Sequence, residues 1–221
     1  MSRLLTALVT AFLICGGTCT SDSGDLSGAE REFVLGALEK IKTGETFLSL
    51  SATSITDAGA AALAKALPAS KITELYLGAN SIGAAGASAL AKALPASKLT
   101  ELHLDSNSIG DEGAAALAKA LPASKVVELK LSQNNIGNAG AAAIAKALPA
   151  SRLRKLALDH GSIGDEGAAA LAKALPASKL TELNLNWNSI DDAGASALVK
   201  AKAASKLTKL DIIDQKDHEE L

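Results

Sequence analysis

The sequence predicts an α/β fold, a one-dimensional stack of short strands each followed by a short helix. Three observations predict it. From Glu45 onward the chain repeats with a period of 27, in six full units starting at Glu45, Ile72, Leu99, Val126, Leu153 and Leu180. Such a period builds a stack in which each unit touches only its neighbours. Within each unit two apolar residues stand two apart, and residues two apart share one face of a strand. A segment led by Gly, with Leu at helical spacing, then runs to a Pro.

Taken in order, the chain opens with Met1-Ser2-Arg3, an apolar run from Leu4 to Cys15, and small polar residues to Ser21. This reads as a secretory signal peptide over 1–21. Twelve apolar residues are too short to span a bilayer, so no membrane span is expected. Residues 22–44 read as a linker and capping helix. The helix is expected over Ser27–Lys42, with Phe33, Ala37, Leu38 and Ile41 inward and Gly44 as its stop.

Residues 45–206 are the six repeats. Place four is always Leu (Leu48 through Leu210), and place six is Leu50, Leu77, Leu104, Leu131, Leu158, Leu185 and then Ile212. Place eleven is Ile in every full unit, expected to turn inward as the chain leaves the strand. In the third unit Asp111 reads as the N-cap of its own helix. Gly59, Gly86, Gly113, Gly140, Gly167 and Gly194 lead the helices, which predicts close approach of helix to sheet. Pro68, Pro95, Pro122, Pro149 and Pro176 are expected to stop the helices. In the sixth unit Lys202 and Ala203 replace the last Leu and the Pro. Residues 207–221 give a final strand and a polar tail ending His218-Glu219-Glu220-Leu221.

The pattern Leu-x-x-Leu-x-Leu-x-x-Asn-x-Ile followed by a Gly-led helix resembles the ribonuclease-inhibitor-like subfamily of leucine-rich repeats, over about Glu45 to Ile212. The resemblance implies a right-handed horseshoe solenoid with a parallel sheet on the concave face and helices outside. It also implies an Asn ladder at place nine, where Asn80, Asn107, Asn134 and Asn188 stand. Thr53 and Gly161 depart from it, and a looser turn is expected at Gly161. The carboxyl-terminal His218, Glu219, Glu220 and Leu221 resemble the KDEL/HDEL retention signals, with Glu219 in place of Asp. With the leader, this predicts the endoplasmic-reticulum lumen, with secretion as the second choice.

Lys+Arg number 22 against Asp+Glu 24, so no strong field argues for nucleic acid. Cys15 and Cys19 are the only cysteines, both in the leader, with no metal-ligand spacing. No Gly-rich phosphate loop follows a strand, and His103 and His160 fall two units apart. The expectation is therefore a non-enzyme with no cofactor and no metal. The predicted function is a protein-binding scaffold of the secretory pathway, acting as a monomer. The alternative is a regulator like the GTPase activator of Ran, should the protein be cytosolic.

Places three, five and seven should point away from the core, and place eight should form a rim. Candidate partner-binding residues there are Phe47, Glu74, Tyr76, Glu101, His103, Asp105, Glu128, Lys130, His160 and Trp187. Three of the four aromatics beyond the leader fall among them, and Tyr and Trp are enriched at binding hot spots. On the helical side, place twenty-one is Lys in all six units (Lys65 to Lys200), and place twenty-seven is Lys or Arg (Lys71 to Lys206). The varied sheet face against this uniform one favours a face shaped for a partner. Packing or recent duplication would also keep the helical side uniform. Glu74, Glu101 and Glu128 should stand in a row of like charges, which leans toward a partner with a basic contact patch.

Overall fold

The computed structural model describes residue 26 and residues 28–213. The leader, the HEEL ending and the rim position of Asp214 lie outside the described residues. Helix α1 (Gly28–Thr43) precedes strand β1 (Phe47–Ser49). Helices and strands then alternate as α2 (Asp57–Ala66), β2 (Glu74–Tyr76), α3 (Ala84–Ala93), β3 (Glu101–His103), α4 (Gly110–Ala120) and β4 (Glu128–Lys130). They continue as α5 (Asn138–Ala147), β5 (Lys155–Ala157), α6 (Asp165–Ala174), β6 (Glu182–Asn184), α7 (Asp192–Ala203) and β7 (Lys209–Asp211). The strands form one parallel sheet in chain order.

The 27-residue register is kept throughout. Leu102 pairs with Leu129, and Leu129 with Leu156. Each strand is only three residues long, and the five interior ones hold their place by burying the central Leu and bonding to both neighbours. The place-four Leu, the place-six Leu and the place-eleven Ile of the interior units are fully buried, as are Leu63, Leu90, Leu117, Ile144, Leu171 and Leu198 of the helices. Burying such a side chain contributes roughly 1.5–3 kcal/mol. A ten-residue helix is too short to persist alone in water, so these helices depend on that packing.

Several expectations are corrected. In α1 it is Val34, with Ala37 and Ile41, that faces the core; Phe33 is 44% exposed and Leu38 is half-buried. The buried fourth member is Glu30, one turn before Val34 on the same face. The α-helices do end just before the prolines, but the coiling runs on for one more turn. Each proline lies in a one-turn 3-10 segment that continues the α-helix, as in Leu67–Ala69 and Leu121–Ala123. The Ser that follows is buried, donates to the carbonyl of that Leu and accepts the backbone N–H two residues on, as Ser124 does with Leu121 and Val126.

Asp111 is not the cap of its own helix. It sits in the first turn of α4, and its Oδ1 accepts from Gly137 N (2.7 Å) and Gly140 N (2.9 Å), at the start of α5. Asp57, Asn138 and Asp165 do the same for the helix one unit on. Glu30 starts this series from α1, accepting from Thr56 N, Thr56 Oγ1 and Gly59 N. The helix-leading glycines make room for this contact. A Cβ on Gly140 would come within 2.6 Å of Asp111 Oδ1 and 2.8 Å of Ile136. The close approach is therefore to the preceding helix and the unit's own Ile, not to the sheet.

Ala84 leaves one gap in the series, and the chain answers locally. Gly110 takes φ +61°, its N–H goes to Asn134 O, and α4 begins early enough for Gly113 N to bond Ile109 O. Elsewhere the equivalent Gly83, Gly137 and Gly164 are extended.

The Asn ladder is present. Asn134 Nδ2 donates to Leu104 O, Leu131 O and Ser132 O, and its Oδ1 accepts from Ile109 N. Asn80, Asn107 and Asn188 repeat the arrangement. At Gly161 the turn is drawn in rather than looser. Ile136 O and Asn188 Oδ1 each lie 2.8 Å from where a Cβ would stand, and Ser162 N still bonds Ile136 O. Without a side chain, the neighbouring backbone closes into the space.

Candidate functional site: the open face of the sheet

Helices cover one face of the sheet, and places three, five and seven stand on the other. Strand pairing lays them out as columns, so Phe47, Glu74, Glu101, Glu128, Lys155, Glu182 and Lys209 are successive neighbours. Ser49, Tyr76, His103, Lys130, Ala157, Asn184 and Asp211 form the next column.

The first three strands carry an aromatic row. Phe47, 45% exposed, meets Tyr76 edge to face at 5.0 Å. Tyr76 stacks on His103 with ring centroids 3.9 Å apart and planes 12° from parallel. The Tyr76 hydroxyl donates to Glu101 Oε2 at 3.3 Å. Burial and the charge of Glu101 raise the phenol above its ordinary value. His103, under both neighbours, is 8% exposed.

The row ends on Glu128. His103 Nε2 lies 3.3 Å from Glu128 Oε1, in ion-pair range but not aligned as a hydrogen bond, so this buried nitrogen has no hydrogen-bond partner. Lys130 Nζ approaches the same oxygen at 3.6 Å, and Lys155 Nζ approaches Oε2 at 3.3 Å. Burial opposes ionisation of Glu128, but the hydrogen bond and charge of Lys155, with Lys130, outweigh it and lower its pKa. Lys155 is raised in turn. Burial and then Lys130 lower the pKa of His103, against the pull of Glu128. The acidic row is thus relieved from within the chain at Glu128, leaving Glu74 and Glu101 as its outward negative end. Glu101, His103 and Glu128 each offer one possible ligand atom, and these lie within 4.8 Å of one another.

A second group lies on the later strands. Asp159 Oδ1 accepts from Ser132 Oγ and Asn184 Nδ2 (2.9 Å), and its Oδ2 lies 3.1 Å from His160 Nδ1. His160 and Trp187 are neighbours with ring centroids 5.7 Å apart. The structure therefore brings Phe47, Tyr76, Glu101, His103, Glu128 and Lys130 into one cluster and pairs His160 with Trp187 apart from it. Asp105 lies over Gly78, where a Cβ would stand 2.6 Å from its carboxylate. Glu74 flanks Glu101 on the adjacent strand.

The sequence reading missed three contributors. Lys155 and Asp159 were on the right columns but unselected. The rim backbone was also missed: Ala52, Ala79, Ser106, Gln133, His160 and Trp187 all have φ between 53° and 57°. This left-handed backbone costs a non-glycine residue about 1 kcal/mol or more. It is held because each N–H donates to the next strand's exit, as His160 N does to Asn186 O. The bend turns the two large rim side chains out beside the sheet face.

A chain of this kind is a β/α solenoid repeat protein, with one parallel sheet in chain order and hydrogen-bond ladders along its edges. A family profile described as Leucine Rich repeat matches residues 69–91, 96–118, 123–145, 152–172 and 177–199, together just over half of the chain. The protein belongs to the leucine-rich-repeat family. No curated protein matches it in sequence. Among solved structures, it is similar to one named Leiomodin-1 Actin-Binding Site 2, at TM-score 0.51 and 19% identity, covering 76% of this chain and 87% of that one. An internalin from Listeria monocytogenes is similar at TM-score 0.40 and 19% identity, covering 87% and 70%. At such identities the likeness is one of fold. Among the described residues no helix is long and apolar enough to cross a membrane.

Proposed function

We propose that this protein is a non-catalytic scaffold of the secretory pathway that captures another protein on the open face of its sheet, in the manner of the ribonuclease-inhibitor-like subfamily. The observation that carries the reading is the aromatic row Phe47–Tyr76–His103, standing on a sheet face that no element of the described chain covers. Rigid aromatic anchors on a preorganised sheet lose little entropy on docking. Glu74 and Glu101 beside them favour a basic contact on the partner. The compartment rests on the leader over 1–21 and on the HEEL ending.

Affinity capture from a lumenal extract tests this, with three versions of the chain compared. The intact chain and a helical-face control, Lys119→Ala with Lys146→Ala, should recover the same partner. Tyr76→Ala with Trp187→Ala should lose it. Equal recovery by all three would refute the assigned face. Deleting residues 218–221 should send the protein to the medium, and an unchanged location would refute retention.

A further inference from the structure

We propose that Glu101, His103 and Glu128 form a binding site for a divalent transition-metal ion of the zinc class. The three ligand atoms, one imidazole nitrogen and two carboxylate oxygens, lie within 4.8 Å of one another on two adjacent strands. Zinc accepts this mixed donor set, and three protein ligands leave a coordination position for water or a partner's side chain.

His103 sets this group apart from a cluster of surface carboxylates. Its side chain is nine-tenths buried, and its Nε2 faces Glu128 without a hydrogen-bond partner. With a lone pair on Nε2, the imidazole would face carboxylate oxygens and be repelled. With a proton there, it would be misaligned for a hydrogen bond. A cation between the three atoms resolves both. The outer contacts also suit a ligand set. Tyr76 stacks on the His103 ring and donates to Glu101, fixing both, while Lys155 holds the Glu128 oxygen turned away from His103. Lys130 is the competitor, since it approaches the oxygen that faces His103.

The test is titration of the full chain, stripped with a chelator, using Co²⁺ as the spectroscopic probe and Zn²⁺ as its competitor. One Co²⁺ per chain should bind, be displaced by Zn²⁺, and show no thiolate charge-transfer band, which excludes Cys15 and Cys19. His103→Gln and Glu128→Gln should each weaken Zn²⁺ binding tenfold or more, and Tyr76→Phe should weaken it several-fold. His160→Gln should leave it unchanged, and Lys130→Ala should tighten it. Should His103→Gln fail to fold, Glu128→Gln and the zinc-induced shift of the His103 ring resonances in the parent chain decide the matter. Absence of saturable one-to-one uptake would overturn the proposal. So would uptake abolished by His160→Gln but indifferent to Glu128→Gln.

Discussion

The edges of the stack and the open face of its sheet follow opposite rules. Along the edges the same side chain recurs and makes the same bond one unit away. Asn80, Asn107, Asn134 and Asn188 tie successive turns, and Asp57, Asp111, Asn138 and Asp165 tie successive helix starts. On the open face each strand carries a different set, and most contacts there join unlike partners, as in the run Phe47, Tyr76, His103, Glu128. Uniformity at the edges thus has a bonding cause, and variety on the face is free of that constraint. The helical-side lysines fit neither rule. Lys65, Lys92, Lys119, Lys146, Lys173 and Lys200 are all exposed, so packing does not hold them constant. The edge ladders, by contrast, would be kept even as copies diverge.

The largest effect expected from breaking an edge is Asn134→Ala. It removes four hydrogen bonds at a buried position and strands Ile109 N–H and Leu131 O, while Leu104 O keeps Asn107 Nδ2. A loss of about 3 kcal/mol should appear in urea unfolding. Asp111→Ala should cost about 1 kcal/mol in the same measurement, the usual value of a helix-start acceptor, and Asp111→Asn much less, since Asn138 fills the role one unit on. The sharpest pair repairs the two irregular rungs. Ala84→Asp should add up to about 1 kcal/mol and bring α4 to the start its neighbours use. Gly161→Asn should give no gain, because a Cβ there meets Ile136 O at 2.8 Å. Equal gains from both would show that the ladders do not shape their own backbone.

Much of this was legible in the sequence because a strict period converts position into place. Once Leu48 and Leu75 are aligned, every inward Leu, every Ile and each Asn rung follows, and so do the columns that carry Tyr76, His103 and Trp187. What was not legible concerns bonds that leave their own unit. Asp111 looks like a cap for the helix it begins, and only the stack shows that the next helix lies closer to its carboxylate. The cluster of Glu101, His103 and Glu128 escaped for the same reason, since its members straddle two units and make no ligand-spacing motif. Phe33 misled because α1 is not a repeat, so no neighbouring copy fixed its phase, and Glu30 inside suits its role at Thr56 and Gly59. The left-handed rim could not be read from Ala52, Gln133 or Trp187, residue types that ordinarily avoid it.

Hydrogen exchange at the place-eleven isoleucines tests most directly the claim that edge residues serve the next unit. The amides of Ile55, Ile82, Ile109 and Ile163 donate to the Asn of the following unit. Ile136 is followed by Gly161, which has no side chain to accept. Ile136 should therefore exchange at least about tenfold faster than Ile109 and Ile163 on either side, the factor expected from losing about 1.4 kcal/mol of local protection. Equal protection across these amides would contradict the account.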